Sequence, residues 1–179
     1  MARSIQKKFI WVLMSLSILA AAPAFAEDQN SYVGVLGGIA FPSGSTDFNF
    51  GVDAGYKLSP MFDAGAFVNY FSQSITSAGT SFSTGNVFWG AEGNYLFPPD
   101  IIPGMLHLGA KVGFYSFSSS STLVSGGTNF MLGPDVGYDY IIAPSVSIGA
   151  EFNLLFVTGT SNSGNTTVPQ LLAAVKYWF

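Results

Sequence analysis

The sequence predicts an all-β fold: an eight-stranded antiparallel up-and-down transmembrane β-barrel that follows a cleaved N-terminal signal peptide. Three observations lead to this prediction. Only 9% of the 179 residues are charged and 49% are hydrophobic, whereas soluble proteins carry roughly 25% charged residues. After the N-terminal segment, no stretch supplies the roughly 20 consecutive apolar residues of a spanning helix. Apolar and polar residues alternate instead with the period of two that is typical of strands.

The N-terminal segment, 1–26, is predicted to be a signal peptide, and 27–179 to be the barrel domain. Three basic residues precede a short apolar run, and Ala24-Phe25-Ala26 has the small-x-small form of a cleavage site. The remaining chain carries three lysines against ten carboxylates, a formal charge of −7. This balance argues against nucleic acid as a partner, because phosphate binding needs clustered Lys and Arg.

Eight segments show the alternation of a strand with one apolar face. In Phe48–Leu58 the even positions are apolar or aromatic, and the odd positions are Asn, Gly, Asp, Gly and Lys. The other seven segments are roughly 31–41, 62–71, 86–97, 105–117, 129–140, 146–157 and 167–179. The sequence therefore predicts eight strands.

The predicted connections are of two kinds, which alternate along the chain. Three contain proline and are mostly short: 59–60, 98–104 and 142–145. Four are rich in Ser, Thr and Gly: 42–46, 72–85, 118–128 and 158–166. Short turns at one end and longer loops at the other are typical of the periplasmic and external rims of outer-membrane barrels.

An internal repeat of about forty residues supports a fold built from hairpins. Residues 51–56 recur in altered form as 90–95 and 133–138, each time on a strand that runs toward a proline-containing turn. An isolated hairpin leaves its edges unpaired and its apolar face uncovered. Closing four hairpins into a barrel removes the unpaired edges, and lipid covers the apolar face.

Every charged residue of the predicted strands falls on the polar face. These residues are Asp47, Asp53, Lys57, Asp63, Glu92, Lys111, Asp135, Asp139, Glu151 and Lys176. A soluble barrel would show the same alternation, but with the apolar face toward the interior and the polar face toward water. The opposite face is made of Phe, Val, Ala, Leu, Ile and Tyr without charge, which suits lipid and not water. We therefore expect the charges to point into the barrel.

The C-terminal segment carries a resemblance to a known group of proteins. Val175-Lys176-Tyr177-Trp178-Phe179 ends a chain with a signal peptide and eight strands, and it resembles the small outer-membrane barrels of the OmpA, OmpX and OmpW type from Gram-negative bacteria. The resemblance implies an integral outer-membrane location among lipids and lipopolysaccharide. It also implies that Tyr177 and Phe179 form a signal for the outer-membrane assembly machinery. Because the chain stops at Phe179, an OmpA-like tether to the cell wall is not expected.

The lumen is predicted to be filled, because eight strands enclose a space that side chains can nearly occupy. The inward charges, Asp47 excepted, form with His107 the predicted interior charge network. When residues of neighbouring strands are matched outward from the middle of each connection, Lys111 lies opposite Asp135, His107 opposite Asp139, and Lys57 opposite Asp63. Lys111 could also reach Glu92. A salt-bridge plug is favoured, because an unpaired buried charge is costly, and the excess of acids calls for water, cations or protonated carboxyls.

A second group of inward residues is apolar and lies near the external ends of the strands. It consists of Phe67, Phe71, Phe88, Tyr115, Phe117, Met131 and Leu155. This group predicts a cup that resembles the hydrophobic compartment of OmpW-type barrels, proposed to pass small apolar molecules sideways into the membrane. Pro134 and Pro169 lie within predicted strands, where each deletes a ladder donor. Either could mark a lateral gap, although a local bulge is favoured.

Catalysis, cofactors and metal ions are not expected. His107 lies between Leu106 and Leu108 with no evident serine partner, whereas lipid A-modifying barrels need a nucleophile and an acid. One His and no Cys give no metal-ligand spacing. A structural or surface-interaction role is therefore favoured, with binding of a small hydrophobic molecule as the alternative and lipid A modification less favoured.

Overall fold

A computed structural model describes residues 30–42, 45–77, 80–97, 104–119, 126–159 and 165–179. The predicted signal peptide and the 98–103 part of one predicted turn lie outside these residues. The strands are β1 (Ser31–Ala40), β2 (Asp47–Ser59), β3 (Phe62–Ser77), β4 (Thr80–Phe97), β5 (Gly104–Ser119), β6 (Gly127–Ala143), β7 (Val146–Val157) and β8 (Thr166–Trp178). In the described part of the chain, no helix is long and apolar enough to cross a membrane.

The eight strands form one closed barrel in which each strand pairs with its neighbours in sequence. The barrel closes where β1 pairs antiparallel with β8, from Tyr32 opposite Trp178 to Ala40 opposite Gln170. Beyond this ladder, the Ser31 amide donates to the Phe179 carbonyl at 3.0 Å. Closure gives the strands partners on both sides, which a spanning sheet in lipid requires. The predicted fold class is confirmed.

The wall of the barrel separates an apolar outside from a polar inside. Burial alternates along β6, where Met131, Asp135 and Asp139 are buried while Leu132 and Val136 are exposed. The same alternation on the other strands places all ten predicted inward charges in buried or half-buried positions. The alternation arises because successive side chains of a strand point to opposite faces of the sheet. The exposed apolar wall suits lipid.

The two ends of the barrel differ. At one, which we call the turn end, residues 60–61 connect β2 to β3 and residues 144–145 connect β6 to β7. At the other, the loop end, β3 and β4 continue as a hairpin through the region predicted to be a loop, 72–85. Their ladder runs from Ser72 opposite Gly85 to Ser77 opposite Thr80. The loop prediction was wrong for most of this segment, because polar residues at both odd and even positions of the sequence hide the strand period.

We call this extension the projecting hairpin; it consists of Ser72–Ser77 and Thr80–Gly85. β3 has 16 residues and β4 has 18, whereas a strand needs roughly 9–11 residues to cross a membrane. The ladder between β2 and β3 stops at Asn49 opposite Phe71. The hairpin therefore rises beyond β2 at the loop end.

The ladder between β6 and β7 is interrupted at a proline. Leu132 pairs with Phe156 and Asp135 with Asn153, but the two described strands have no assigned pairs between these points. Pro134 falls in the interval, and so does Leu154, whose partner on its other side is Pro169 of β8. We call Gly133, Pro134, Leu154, Leu155 and Pro169 the proline seam. Proline supplies no amide donor, so Pro134 cannot donate to Leu154 across the β6–β7 ladder, whereas the Pro169 carbonyl faces β1 and accepts from the Phe41 amide at 2.9 Å.

Candidate functional site in the barrel interior

Lys111 is the centre of one ion-pair group inside the barrel. Its side chain is 1% exposed, and its ammonium donates to Glu92, which lies directly opposite on β4. The ammonium also lies 3.1 Å from Glu151 Oε1. The contact with Glu92 that the sequence suggested is therefore present, and a second carboxylate on β7 joins it.

The predicted register between β5 and β6 was wrong by two residues. Gly133 and Gly137, not Asp135 and Asp139, stand opposite Lys111 and His107. A shift of two residues leaves every side chain on its predicted face.

His107 lies among three carboxylates despite the changed register. Its ring nitrogens are 3.7 Å from Asp139 Oδ2, 3.9 Å from Asp135 Oδ2 and 3.9 Å from Glu151 Oε2. These oxygens come from β6 and β7, the two strands that follow the one carrying the histidine. The ring is thus held in an acidic interior environment, where a histidine can serve as a hydrogen-bond partner of carboxylates.

The other two lysines lie closer to the turn end and differ in pairing. Lys176 Nζ is 2.8 Å from Asp139 Oδ2 and 4.0 Å from Asp53 Oδ2. Lys57 stands opposite Asp63 in the ladder, as predicted, but no carboxylate of the described residues lies within 4 Å of its ammonium. The ammonium lies instead 4.2 Å from the centroid of the Trp178 ring.

Tyr32 joins this network and was missed by the sequence analysis. Its hydroxyl donates to Glu92 Oε1 at 2.9 Å, although β1 and β4 are separated by two strands. The ring crosses Gly55 of β2, where a Cβ would be 2.5 Å from Tyr32 Cε1. It ends above Gly65 of β3, where a Cβ would be 3.1 Å from the hydroxyl oxygen. Two inward glycines therefore clear the path of the tyrosine.

Inward glycines make room for other polar side chains in the same way. A Cβ would collide with the neighbouring side chain at each of these positions: Gly34 with Asp53, Gly51 with Asn69, Gly109 with Asn94, Gly137 with His107 and Gly149 with Asp139. Asn94, also missed by the sequence analysis, donates to Asp63 Oδ1 at 2.9 Å. The available signal was the glycine on the polar face of each repeat.

Several buried polar atoms of the interior have no hydrogen-bond partner within the described protein. They include both oxygens of Asp135, Oδ1 of Asp53, and the amide groups of Asn49 and Asn69. Ordered water is the usual partner of such atoms. Among the described residues, no group of three or more His, Asp or Glu is placed to hold a metal ion.

The predicted cup residues come together as a packed cluster, which we call the apolar plug. Phe67, Phe71, Phe88, Met131 and Leu155 are each at most 1% exposed and pack with Ala40, Val157 and Val168. The Phe88 ring lies 5.7 Å from Phe71 and 4.9 Å from Tyr115. Phe117 is half-buried and stacks on Tyr115 at 5.9 Å. These side chains therefore pack against one another inside the barrel.

The two residues of the suggested assembly signal lie at the turn end. The rings of Tyr177 and Phe179 are stacked with their centroids 6.2 Å apart, and both residues are half-buried. Phe179 is hydrogen-bonded through its backbone to Ser31 of β1.

Comparison with solved structures identifies the fold. Neisserial surface protein A, NspA, superposes with a TM-score of 0.65 at 19% identity, over 83% of this chain and 96% of NspA. Ail, the attachment invasion locus protein of Yersinia pestis, solved in complex with the heparin analogue sucrose octasulfate, gives 0.56 at 12% identity over 84% and 97%. The fold is that of the small outer-membrane β-barrels.

The outer membrane protein OprG of Pseudomonas aeruginosa shares it, with a TM-score of 0.53 at 12% identity over 84% of this chain and 96% of OprG. No protein-family model matches the sequence, and no curated protein matches it. At these identities the likeness establishes the architecture. A barrel of this architecture with an apolar outer wall lies integrally in a bacterial outer membrane.

Proposed function

We propose that this protein is an integral outer-membrane barrel with a filled, non-porin lumen and a structural or surface-interaction role. The observation that carries the proposal is the projecting hairpin at the loop end of the barrel. Outer-membrane lipids surround the wall. The other proposed partners are lipopolysaccharide at the external rim and the outer-membrane assembly machinery. Tyr177 and Phe179 form the proposed signal for that machinery.

Two layers of side chains support the non-porin part of the proposal. The apolar plug crosses the lumen toward the loop end. The ion pairs of Lys111 and Lys176 occupy the space toward the turn end. A hydrated solute would have to displace both layers, and the lower one is held by buried charge pairs whose separation is costly.

The projecting hairpin supports the surface role. Its β3 edge, Ser72–Ser77, has no strand partner in the described β2. An unpaired edge presents backbone N–H and C=O groups to other chains. The four segments expected as external loops contain no Asp, Glu, Lys or Arg. A partner would therefore contact backbone groups and neutral side chains, and charge would contribute little to the interaction.

Shortening the hairpin tests this proposal. Replacing residues 72–85 by Asn-Gly would join Phe71 to Asn86, which already face each other in the ladder, through a two-residue hairpin turn. We expect the barrel to fold and cells expressing it to lose attachment to host cells or abiotic surfaces. The matched control replaces 160–164 by Asn-Gly and retains attachment. Equal attachment by both variants and the unmodified protein would contradict the role of the hairpin.

A second candidate function is binding or lateral release of a small hydrophobic molecule. The observation that favours it is the proline seam, whose Leu155 also belongs to the apolar plug. The ladder between β6 and β7 is therefore interrupted beside the plug. Titrating a small apolar fluorescent probe into the detergent-solubilised barrel tests this candidate. A true site loses affinity in Phe88→Asp and Phe117→Asp, and unchanged binding in both rules it out.

We do not propose catalysis. Among the described residues, the acidic groups within 4 Å of the His107 ring are three carboxylates, which a histidine does not activate as it would a serine or a cysteine. Lipid A from cells that express the protein is expected to keep its acyl chains by mass spectrometry. The loss or gain of an acyl chain would overturn this part of the proposal.

A further inference from the structure

A small cavity opens at the turn end, beyond the ion pairs of Lys176. It has a volume of about 110 Å³ and is lined by Lys57, Met105, Asp139, Ile141, Pro144 and Trp178, with Ser147. Pockets for drug-sized ligands measure roughly 300 to 1,000 Å³, so this cavity suits only a small molecule. It lies apart from the apolar plug and from the projecting hairpin.

The cavity contains the one lysine that lacks an ion pair in the described part of the barrel. Lys57 is half-buried, and its ammonium is held over the Trp178 ring at 4.2 Å from the centroid. The ring is itself fixed, because Trp178 Nε1 donates to Ser147 Oγ at 3.1 Å and the Tyr32 ring lies 4.9 Å away. The Trp178 ring therefore holds the Lys57 ammonium in place in the absence of an anion.

The carboxylate in the lining does not cancel this charge. Asp139 Oδ2 lies 2.8 Å from Lys176 Nζ and 3.7 Å from His107 Nδ1. Its negative charge is therefore compensated from the side of the barrel interior. Lys57 faces the cavity with Asp63 opposite it in the ladder, but no carboxylate of the described residues lies within 4 Å of its ammonium.

The rest of the lining is largely apolar. Met105 is half-buried, and Ile141 and Pro144 are exposed at the rim. A single ammonium suits a single negative charge, and an apolar wall beside it suits an alkyl group. The Ser147 hydroxyl accepts the Trp178 bond and keeps its own proton for donation.

We propose that this cavity binds a short-chain monocarboxylate, with the carboxylate on Lys57 and Ser147 and the alkyl group against Met105, Ile141 and Pro144. Such an anion would come either from the periplasmic solution or from the end of a fatty acid in the adjacent leaflet. The small volume favours the free short acid.

The test uses the indole N–H signals of the detergent-solubilised mature barrel, labelled with ¹⁵N-tryptophan. Butyrate is expected to shift the Trp178 signal in a saturable manner. Trp89 is the internal control, because its indole donates to Ser116 on the exposed wall, away from the cavity. Butyramide and inorganic phosphate should each cause little shift. No Trp178 shift with butyrate, or an equal shift with either control compound, would overturn the proposal.

Variants identify the groups that bind. Lys57→Met should weaken butyrate binding about tenfold or more, as expected for a lost charge-assisted hydrogen bond, whereas Lys57→Arg should retain it. Ile141→Asp changes an exposed rim position and should weaken binding by repulsion even if Lys57→Met fails to fold. Unchanged affinity in a folded Lys57→Met or in Ile141→Asp contradicts the assignment.

Chain length separates the two sources. An affinity for octanoate equal to or lower than that for butyrate supports a short acid contained in the cavity. An affinity that rises with each added methylene would mean that the chain extends into lipid, and this result would overturn the short-chain assignment.

Discussion

At the residue scale, the interior is built from pairs of a glycine and a large polar side chain on adjacent strands. Gly137 and His107 face each other across the β5–β6 ladder, and a Cβ at Gly137 would be 2.5 Å from two atoms of the imidazole ring. Interiors are packed too densely to accept such an atom without movement. The glycine therefore sets where the histidine can lie relative to its three carboxylates.

Gly137→Ala tests this dependence. We expect a loss of about 1–3 kcal/mol in the free energy of unfolding, because the added methyl group overpacks the site. Reversible urea unfolding in lipid vesicles, followed by tryptophan fluorescence, measures the loss. Gly93→Ala, at an exposed position of the equivalent repeat, is the control, because the nearest atom to its Cβ would be the Asp63 carbonyl oxygen at 3.9 Å. Equal stabilities of the two variants would contradict the packing argument.

The Lys111 ion pairs give a second prediction at this scale. Lys111→Met leaves Glu92 and Glu151 buried without their shared cation, and removal of one partner from a buried pair costs about 3–5 kcal/mol. The same unfolding measurement should show a smaller loss for Lys57→Met, since Lys57 is half-buried and has no carboxylate within 4 Å in the described residues. Adding Glu92→Gln to Lys111→Met should recover part of the stability. A Lys111→Met variant as stable as Lys57→Met would refute this account.

At the element scale, the sequence predicted the faces of the strands but not all of their pairings. The face of a residue follows from a period of two, and every inward charge obeyed it. The β5–β6 register cannot be obtained in this way, because a slip of two residues leaves the pattern unchanged. The projecting hairpin was missed for a related reason: beyond the membrane, no lipid requires an apolar face, and Ser and Thr occur at both odd and even positions of 72–85. The Tyr32–Glu92 contact could not be predicted either, because it depends on the registers of the strands from β1 to β4.

The proline seam gives a prediction about the stability of one element. The amide of Leu154, which faces the interrupted β6–β7 ladder, should exchange with deuterium faster than those of Val68 and Trp89, which lie opposite each other in an uninterrupted ladder. Missing ladder bonds lower the free energy of local opening, and exchange rates report that energy. Hydrogen exchange of the barrel in micelles, resolved by NMR, makes the comparison. Equal protection at the three amides would mean that the seam is closed by contacts other than ladder hydrogen bonds.

At the scale of the whole molecule, the three lysines of the predicted mature chain all lie in the barrel interior, and the expected external segments carry no charge. Surface attachment should therefore change little between about 50 and 500 mM salt, because screening acts only on exposed charges. Soluble heparin should not compete. Cell-attachment assays across this salt range test the prediction, with a barrel whose loops are basic as the salt-sensitive control. Attachment that falls steeply with salt would contradict it.

The separation of charge from the lipid face also has a consequence for how the barrel reaches its membrane. A sheet that entered the bilayer before β1 met β8 would turn Lys111, Lys176 and the buried carboxylates toward hydrocarbon. A lysine exposed to lipid at the midplane costs roughly 2–4 kcal/mol, and the open edges would add unsatisfied backbone groups. The charged residues on the face that becomes the interior therefore keep an open sheet out of the bilayer. Insertion and closure must therefore proceed together, and the β1–β8 pairing is the step that commits the chain to the membrane.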